Sequence, residues 1–322
     1  MRTITYSEAL NEALHEEMQK DGNIVLLGED IGQYGGVFKV TKNLFEEFGA
    51  KRVVDTPISE NGFIGMGLGA AMTGLRPVTE LMWIDFAMVA MDQIVNQVAK
   101  MKYMSGGQVN VPMVIRTQEG AGRGNGAQHS QSLESMFAQV PGLKVVSPSN
   151  PYDAKGMLKS AIRDEAPVLF IENKLLYFTK GEVPEQEYTV TLDKASVIRN
   201  GEDVTIIANS RMVHFAQEAA EELKQDGISA EVIDLRSISP IDMDTILTSV
   251  KKTCRVVLVH EAHRSFGWGA ELVARIQKEA FDYLDTPIER VASEDVPFPY
   301  SLKLEKEVMP QVQDIVRVVK GM

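Results

Sequence analysis

Glu60 is the residue best placed to do chemistry. It lies in the segment Asp55–Gly74, between a short apolar strand and a helix of small residues that includes Gly62, Gly65, Gly67 and Gly69. Each glycine costs a helix roughly 1 kcal/mol relative to alanine, so close approach of another backbone or of a flat ligand is expected to offset that cost. A carboxylate among small and apolar side chains can hold a proton shared with a basic ring nitrogen. A glutamate that only complements the helix dipole would explain the same position.

His129 is the second candidate. It lies near the end of a polar loop, Gln118–Gln131, that carries Gly120, Gly122, Gly124 and Gly126. These glycines allow backbone conformations that other residues avoid and let the loop approach a substrate. A histidine in such a loop can donate or accept a proton near neutral pH. A solvated loop histidine without a function is the alternative.

Two other patterns have weaker support. His260 and His263 flank Glu261, but their spacing is not that of a zinc motif and no third ligand is evident. Gly65-Met-Gly-Leu-Gly-Ala70 fits a relaxed dinucleotide-binding pattern. Such glycines must follow their strand directly, whereas residues 56–64 intervene here, which argues against NAD binding.

Strands that alternate with helices must position these residues. Apolar strands are predicted at Asn23–Gly28, Arg52–Asp55, Arg76–Trp83, Pro112–Thr117, Lys144–Ser147 and Pro167–Glu172, and a long helix at Asp85–Met104. Continuous apolar strands indicate a parallel sheet covered on both faces. After Lys180 the sequence becomes rich in charged residues and loses its helical periodicity, and the alternation of strands and helices then resumes. The sequence therefore predicts an α/β protein with two doubly wound parallel-sheet domains, at 1–180 and 201–322, joined by a linker at 181–200.

The overall composition excludes several classes of protein. A formal net charge of -12 argues against nucleic-acid binding, which needs a basic face. No apolar run approaches the ~20 residues of a membrane span, and no secretory signal is evident. The single cysteine, Cys254, excludes an internal disulfide and any cysteine-built metal site. A cytoplasmic location fits these features best.

Six segments together closely resemble one family. They are Asp55–Glu60 (DTPISE), Gly74–Pro77 (GLRP), Met91–Asn96 (MDQIVN), Ala127–Gln131 (AQHSQ), Pro141–Val146 (PGLKVV) and Tyr152–Gly156 (YDAKG). The family is the β subunit of the thiamine-diphosphate-dependent decarboxylase component of 2-oxo acid dehydrogenase complexes. The similarity extends over essentially the whole chain, and the motifs keep their order.

The resemblance implies a transketolase-like pyrimidine-binding domain followed by a transketolase C-terminal domain. It places Glu60 against the aminopyrimidine ring of thiamine diphosphate, where a shared proton favours the imino tautomer. Ile58, Met82 and Phe86 match positions that line the cofactor. His129 matches the family's active-site histidine, which handles substrate and the reductive acylation of the lipoyl group.

The resemblance also implies metals and partners. Related subunits bind potassium at positions that match Met113, Ala161, Ile162, Asp164 and Ala166, where alanine replaces the asparagine of some relatives. The Gly-Asp-Gly…Asn-Asn pattern that holds diphosphate and magnesium in other thiamine enzymes is absent. The expected partners are therefore an α subunit that holds most of the magnesium site, in an α2β2 heterotetramer, and a lipoyl-bearing acyltransferase core that docks near residues 295–299. The enzyme is expected to be active only with its α subunit.

The substrate stays open between several readings. Pyruvate is the first expectation, and acetoin, which is cleaved with the same carbanion stabilisation, is the alternative. A branched-chain 2-oxo acid, an NAD-dependent oxidoreductase and a non-catalytic scaffold are less favoured.

Overall fold

The computed structural model describes all residues, 1–322. The chain divides by its contacts into two compact units. Unit 1 comprises residues 1–119 and 136–192, and unit 2 comprises residues 120–135 and 193–322.

Unit 1 is built on a parallel sheet. Its strands are β2 (Ile24–Gly28), β3 (Val53–Asp55), β4 (Arg76–Leu81), β5 (Val114–Glu119), β6 (Lys144–Val146) and β7 (Val168–Asn173). They lie in the order β6-β7-β5-β4-β2-β3, and each pair of neighbouring strands among them is parallel. β2, β5 and β7 are buried along their whole length, as the continuous apolar runs predicted. A small antiparallel pair, β1 (Arg2–Thr5) with β8 (Lys180–Val183), completes this unit.

Helices cover the sheet of unit 1. Between residues 1 and 192 they are α1 (Tyr6–Lys20), α2 (Leu44–Phe48), α3 (Glu60–Met72), α4 (Met101–Met104), α5 (Glu134–Ala138) and α6 (Pro151–Arg163). A capping box begins α1, because the Glu8 amide donates to Thr5 Oγ1 and the Thr5 amide donates to Glu8. α1 and α6 pack together through buried Lys155, whose Nζ lies 2.9 Å from Glu12 and 2.6 Å from Glu16.

The single long helix predicted for Asp85–Met104 is wrong. The chain forms a 3-10 turn at Ile84–Met88, a π-helical segment at Asp92–Val98 and then α4. The Ala99 amide donates to Ile94 O, five residues back, at 3.1 Å. An apolar pattern predicts which positions are buried, but it does not determine whether the hydrogen bonds step by three, four or five residues.

Unit 2 contains a second, smaller sheet. Its strands are β9 (Ser196–Arg199), β10 (Val204–Ala208), β11 (Ala230–Asp234), β13 (Val256–His263) and β14 (Glu289–Ser293), in the order β14-β13-β10-β11-β9. All are parallel except β9, which runs antiparallel to β11. The other elements of residues 193–322 include β12 (Ser237–Ser239), α7 (Met212–Gln225), α8 (Met243–Thr253), α9 (Trp268–Ala280), α10 (Leu302–Val308) and α11 (Val312–Lys320). The predicted fold class, two α/β units with mainly parallel sheets, is confirmed.

The domain bounds expected at 1–180, 181–200 and 201–322 stay a prediction. Residues 120–135 follow β5 along the chain but belong to unit 2 by their contacts. Residues 181–192 belong to unit 1. The segment treated as a linker also contains most of β8 and β9. None of the helices combines the length and the hydrophobicity that a membrane span requires.

Candidate active site

The carboxyl ends of β3, β2 and β4 meet at one edge of the sheet in unit 1. Gly28, the last residue of β2, is in register with Asp55 of β3 on one side and with Glu80 of β4 on the other. A side chain at Gly28 would come within 2.9 Å of the Glu80 carbonyl oxygen, so only glycine fits between the two neighbours. Ligands of open α/β sheets bind at this kind of edge.

Glu60 is the first residue of α3 and is 9% exposed. Ser59 occupies the N-cap position, but its side chain makes no capping hydrogen bond. The side chain of Ile58, two residues earlier, is 82% exposed. The loop after β3 therefore presents a largely buried carboxyl group beside an uncovered apolar side chain.

Glu29 lies at the same edge, and sequence reasoning missed it. It follows β2 directly. Burial is the main cause that raises the pKa of its carboxyl group, and the negative charge of Glu60 raises this pKa further. Glu29 Oε1 and Thr56 Oγ1 are both buried without a hydrogen-bond partner. Buried polar atoms normally have partners, so this edge has unused hydrogen-bonding capacity. The Gly-Glu-Asp sequence that ends the apolar run could have drawn attention to Glu29, but its proximity to Glu60 depends on sheet order.

The glycines of α3 do not share one role. A Cβ at Gly67 would come within 2.8 Å of Met113 and Thr79, so this glycine lets the helix lie close against the sheet. A Cβ at Gly69 would meet nothing within 4 Å. Gly65 and Gly67 lie inside the helix rather than in the turn after the strand, which removes the structural context that a dinucleotide fingerprint needs.

Met82 and Phe86 follow β4, the strand on the other side of β2. Met82 comes directly after the strand and Phe86 lies in the 3-10 turn, and both side chains are half-buried. The carboxyl groups and the apolar side chains together match what a flat heterocycle with a basic nitrogen requires: apolar faces for the ring and a proton-sharing carboxyl at its edge.

His129 belongs to unit 2 and is half-buried. The four glycines that precede it have φ angles of +98° (Gly120), +99° (Gly122), +66° (Gly124) and +75° (Gly126). All four glycines therefore have positive φ angles, the backbone conformation that residues with side chains avoid and that the sequence predicted for this loop. The loop closes at its base because the Gly120 amide donates to Gln131 O at 3.2 Å.

An arginine occupies the region of the potassium positions. Arg76 Nε donates to Ile162 O at 2.8 Å, and Arg76 Nη2 donates to Asp164 O at 2.8 Å. The Met113 and Ala161 carbonyls accept from Val168 and Asp164 amides, and the Ala166 amide donates to Asp164 Oδ1. A guanidinium thus already supplies positive charge to two of the five expected oxygens, an arrangement that does not favour a cation beside it. The potassium site stays a prediction.

His260 and His263 do not form a metal site, and no group of three or more His, Cys, Asp or Glu side chains that could hold a metal ion is present. His260 is fully buried, and its Nδ1 lies 3.0 Å from Ala262 O. Burial lowers its pKa to about 4. His263 lies outside this enclosure, with its ring stacked on Phe298.

We expect His260 to make unit 2 acid-sensitive. Between pH 6.5 and about 4 the unfolded chain binds a proton at this position and the folded chain does not, so stability falls as the pH falls through this range. At about 1.4 kcal/mol per tenfold change in proton affinity, the loss is roughly 3 kcal/mol. His260→Asn, whose amide can still donate to Ala262 O, should flatten this dependence. Urea unfolding at pH 7 and 4.5, followed by Trp268 fluorescence in a Trp83→Phe background, measures it. An equally steep dependence in His260→Asn would contradict the assignment.

Comparisons with known proteins agree along the whole chain. Residues 2–180 match the transketolase pyrimidine-binding domain, and residues 193–315 match the transketolase C-terminal domain. The chain is 50% identical to pyruvate dehydrogenase E1 component subunit beta-1, mitochondrial, of Arabidopsis thaliana, covering 99% of this chain and 89% of that protein. It is 48% identical to pyruvate dehydrogenase E1 component subunit beta of Rickettsia bellii (strain RML369-C), covering 98% of each. The subunit of the same name from Gracilaria tenuistipitata var. liui is 49% identical over 100% of this chain and 99% of its own length.

A solved structure supports the fold independently. The chain matches a split gene transketolase, described as an inactive β4 tetramer, with a TM-score of 0.81 over 99% of this chain and 97% of that one. The sequence identity is 24%, so this similarity concerns the fold alone.

Proposed function

The chain belongs to the family of β subunits of the E1 component of 2-oxo acid dehydrogenases, and from this premise we propose that it supplies the proton-handling half of a thiamine-diphosphate site that acts on pyruvate. The reaction is oxidative decarboxylation followed by acyl transfer to a lipoyl group. Relatives that carry pyruvate dehydrogenase in their names, at about half identity over the full chain, support pyruvate over acetoin and over a branched-chain 2-oxo acid.

One observation carries the proposal. Glu60 is largely buried at the carboxyl edge of a parallel sheet, beside exposed Ile58 and near a second carboxyl group, Glu29, whose Oε1 has no partner. A polar edge with unused hydrogen-bonding capacity next to an apolar surface fits the aminopyrimidine end of thiamine diphosphate.

Each residue at this edge has a proposed role. The Glu60 carboxyl group holds a proton at the ring nitrogen of the pyrimidine, and burial and the charge of Glu60 raise the pKa of the neighbouring Glu29 carboxyl group. Ile58, Met82 and Phe86 contact the ring and exclude water. When bound, thiamine diphosphate supplies the electron sink for cleavage of the carbon–carbon bond. His129 donates or accepts protons during substrate handling and acyl transfer.

The partner subunit holds the rest of the cofactor in this proposal. The chain lacks the Gly-Asp-Gly…Asn-Asn pattern, so we assign the diphosphate and magnesium mainly to an α subunit in an α2β2 heterotetramer. Magnesium prefers oxygen ligands that include the phosphates of its substrate, which places it with the diphosphate rather than at the edge described here.

A titration of thiamine diphosphate tests this division. The isolated chain should bind the cofactor at least about 100-fold more weakly than its mixture with the α subunit, because half of the contacts come from the partner. Isothermal titration calorimetry of the chain, the α subunit and the mixture measures the three affinities. Equally tight binding by the chain alone would contradict the half-site. Binding of NAD by the isolated chain would favour an oxidoreductase, and no binding by the mixture would favour a scaffold.

Three finer assignments complete the proposal. We assign docking of the lipoyl-bearing acyltransferase core to the surface near Asp295–Pro299, which co-purification of the core with the α/β assembly tests. We also propose a cytoplasmic location, which cell fractionation tests.

Potassium should stabilise the folded protein only weakly, because Arg76 already donates to Ile162 O and Asp164 O. We expect melting temperatures within about 1 °C in KCl and NaCl at equal ionic strength, and a clearly higher value in KCl would show a potassium site.

A further inference from the structure

The loop that carries His129 is bound by residues from outside the loop. Residues 120–133 contain no helix or strand, and the loop's glycines adopt positive φ angles that residues with side chains disfavour. Within the loop, the Gly120 amide donates to Gln131 O, and the His129 amide donates to Gly126 O at 3.3 Å. These two bonds close the base and the final turn of the loop, and the segment between Ala121 and Gly124 lies between them.

Two carboxylates of unit 2 hold that segment. Glu261, in β13, accepts from the Ala121 amide at 2.5 Å, and Glu305, in α10, accepts from the Gly124 amide at 2.9 Å. Glu305 is only 1% exposed, and its second oxygen has no hydrogen-bond partner. Burying a carboxylate is costly unless its hydrogen bonds compensate, so Glu305 is not placed here for solubility. A hydrogen bond with an ionised acceptor is about twice as strong as a neutral one.

The ring of Tyr300 covers the next part of the loop. A Cβ at Gly126 would overlap that ring, and a Cβ at Gly124 would come within 2.8 Å of Tyr300 O. The Tyr300 side chain is 74% exposed, so the ring contributes little to the core of unit 2 and lies on the loop instead. Gly126 is three residues from His129 in the sequence, and its carbonyl oxygen accepts a hydrogen bond from the His129 amide.

We propose that Glu305 and Tyr300 are positioning residues for His129, which set the imidazole for acyl transfer to the lipoyl group. The inference rests on the role proposed above for His129. In that reaction a 2-oxo acid and a lipoyl disulfide give carbon dioxide and an S-acyl dihydrolipoyl group. The S–S bond breaks, one sulfur bonds the acyl carbon, and the other takes a proton that a histidine can deliver. A misplacement of about 1 Å is enough to cost such a step 100-fold.

The test uses the assembly of this chain with its α subunit and two assays. Pyruvate-dependent reduction of ferricyanide reports decarboxylation without a lipoyl group, and S-acetylation of free lipoamide reports acyl transfer. Glu305→Ala should lower kcat for acyl transfer about 10- to 100-fold and change ferricyanide reduction and the KM for pyruvate less than about 3-fold. Glu305→Gln keeps an oxygen acceptor for the Gly124 amide and should recover most of the rate. Tyr300→Ala, an exposed change, should give the same selective loss if Glu305→Ala does not assemble.

Two controls separate positioning from general damage. Glu307→Gln removes an exposed charge from the same helix and should change neither assay. In a His129→Ala background, Glu305→Ala should cause no further loss of acyl transfer, because the residue acts through the imidazole. A further loss in that background, or equal losses in both assays, would overturn the inference. If His129→Ala itself leaves acyl transfer unchanged, the proposed function of His129 fails instead.

Discussion

Glu60→Gln is expected to abolish turnover of the α/β assembly. The amide keeps the size of the side chain and can still hydrogen-bond, but it cannot exchange the proton that we assign to the carboxyl group. Loss of a positioned proton-transfer group costs roughly 10²–10⁴-fold or more in rate. Pyruvate-dependent ferricyanide reduction measures the loss, and size-exclusion chromatography checks that the assembly forms. Retained activity would contradict the role of Glu60.

A matched control separates chemistry from helix electrostatics. Glu46 also lies in the first turn of a helix, α2, but it is exposed. A glutamate that only complements a helix dipole contributes about 0.3–1 kcal/mol to stability and nothing to turnover. Glu46→Gln should therefore leave the rate unchanged, whereas a small loss of stability without loss of rate in Glu60→Gln would return that residue to the dipole role.

The fold could be predicted because its signals are local. Apolar runs such as Ile24–Gly28 and a capping box at Thr5 identify buried strands and a helix start without knowledge of their neighbours. The prediction of one long helix at 85–104 was wrong for the opposite reason. Its apolar pattern is compatible with 3-10, α and π steps, and contacts made by the folded chain select among them.

The site was only partly accessible from the sequence. Glu60 and His129 could be proposed from the sequence because each stands beside glycines and within long, specific motifs. Glu29 was missed because 30 residues separate it from Glu60, and only the adjacency of β2 and β3 brings the two carboxyl groups to one edge. Glu305 was missed because its link to the His129 loop spans 181 residues and runs to a backbone amide, which leaves no pattern of side-chain types.

A buried ion network underlies the edge that carries Glu60. The side chain of Arg116, in β5, is 1% exposed. Its Nη1 lies 2.6 Å from Glu80 Oε2 in β4, and its Nε lies 2.7 Å from Glu172 Oε1 in β7. Tyr177 donates its hydroxyl to Glu172 Oε2 at 2.5 Å. Burial alone lowers the pKa of Arg116, but the two carboxylates outweigh it and raise that pKa. The guanidinium therefore stays charged and links three neighbouring strands near their carboxyl ends.

Removing that cation should have the largest effect on stability. Arg116→Met leaves Glu80 and Glu172 buried without it, and breaking a buried pair costs about 3–5 kcal/mol. Urea unfolding followed by Trp83 fluorescence, in a Trp268→Phe background, measures the change in unit 1. Arg2→Met, which removes the 40% exposed partner of Glu12, should cost less than about 1 kcal/mol. Adding Glu80→Gln and Glu172→Gln to Arg116→Met should recover part of the loss, because the unpaired charges disappear with the cation. A loss in Arg116→Met no larger than in Arg2→Met would show that the network does not hold these strands together.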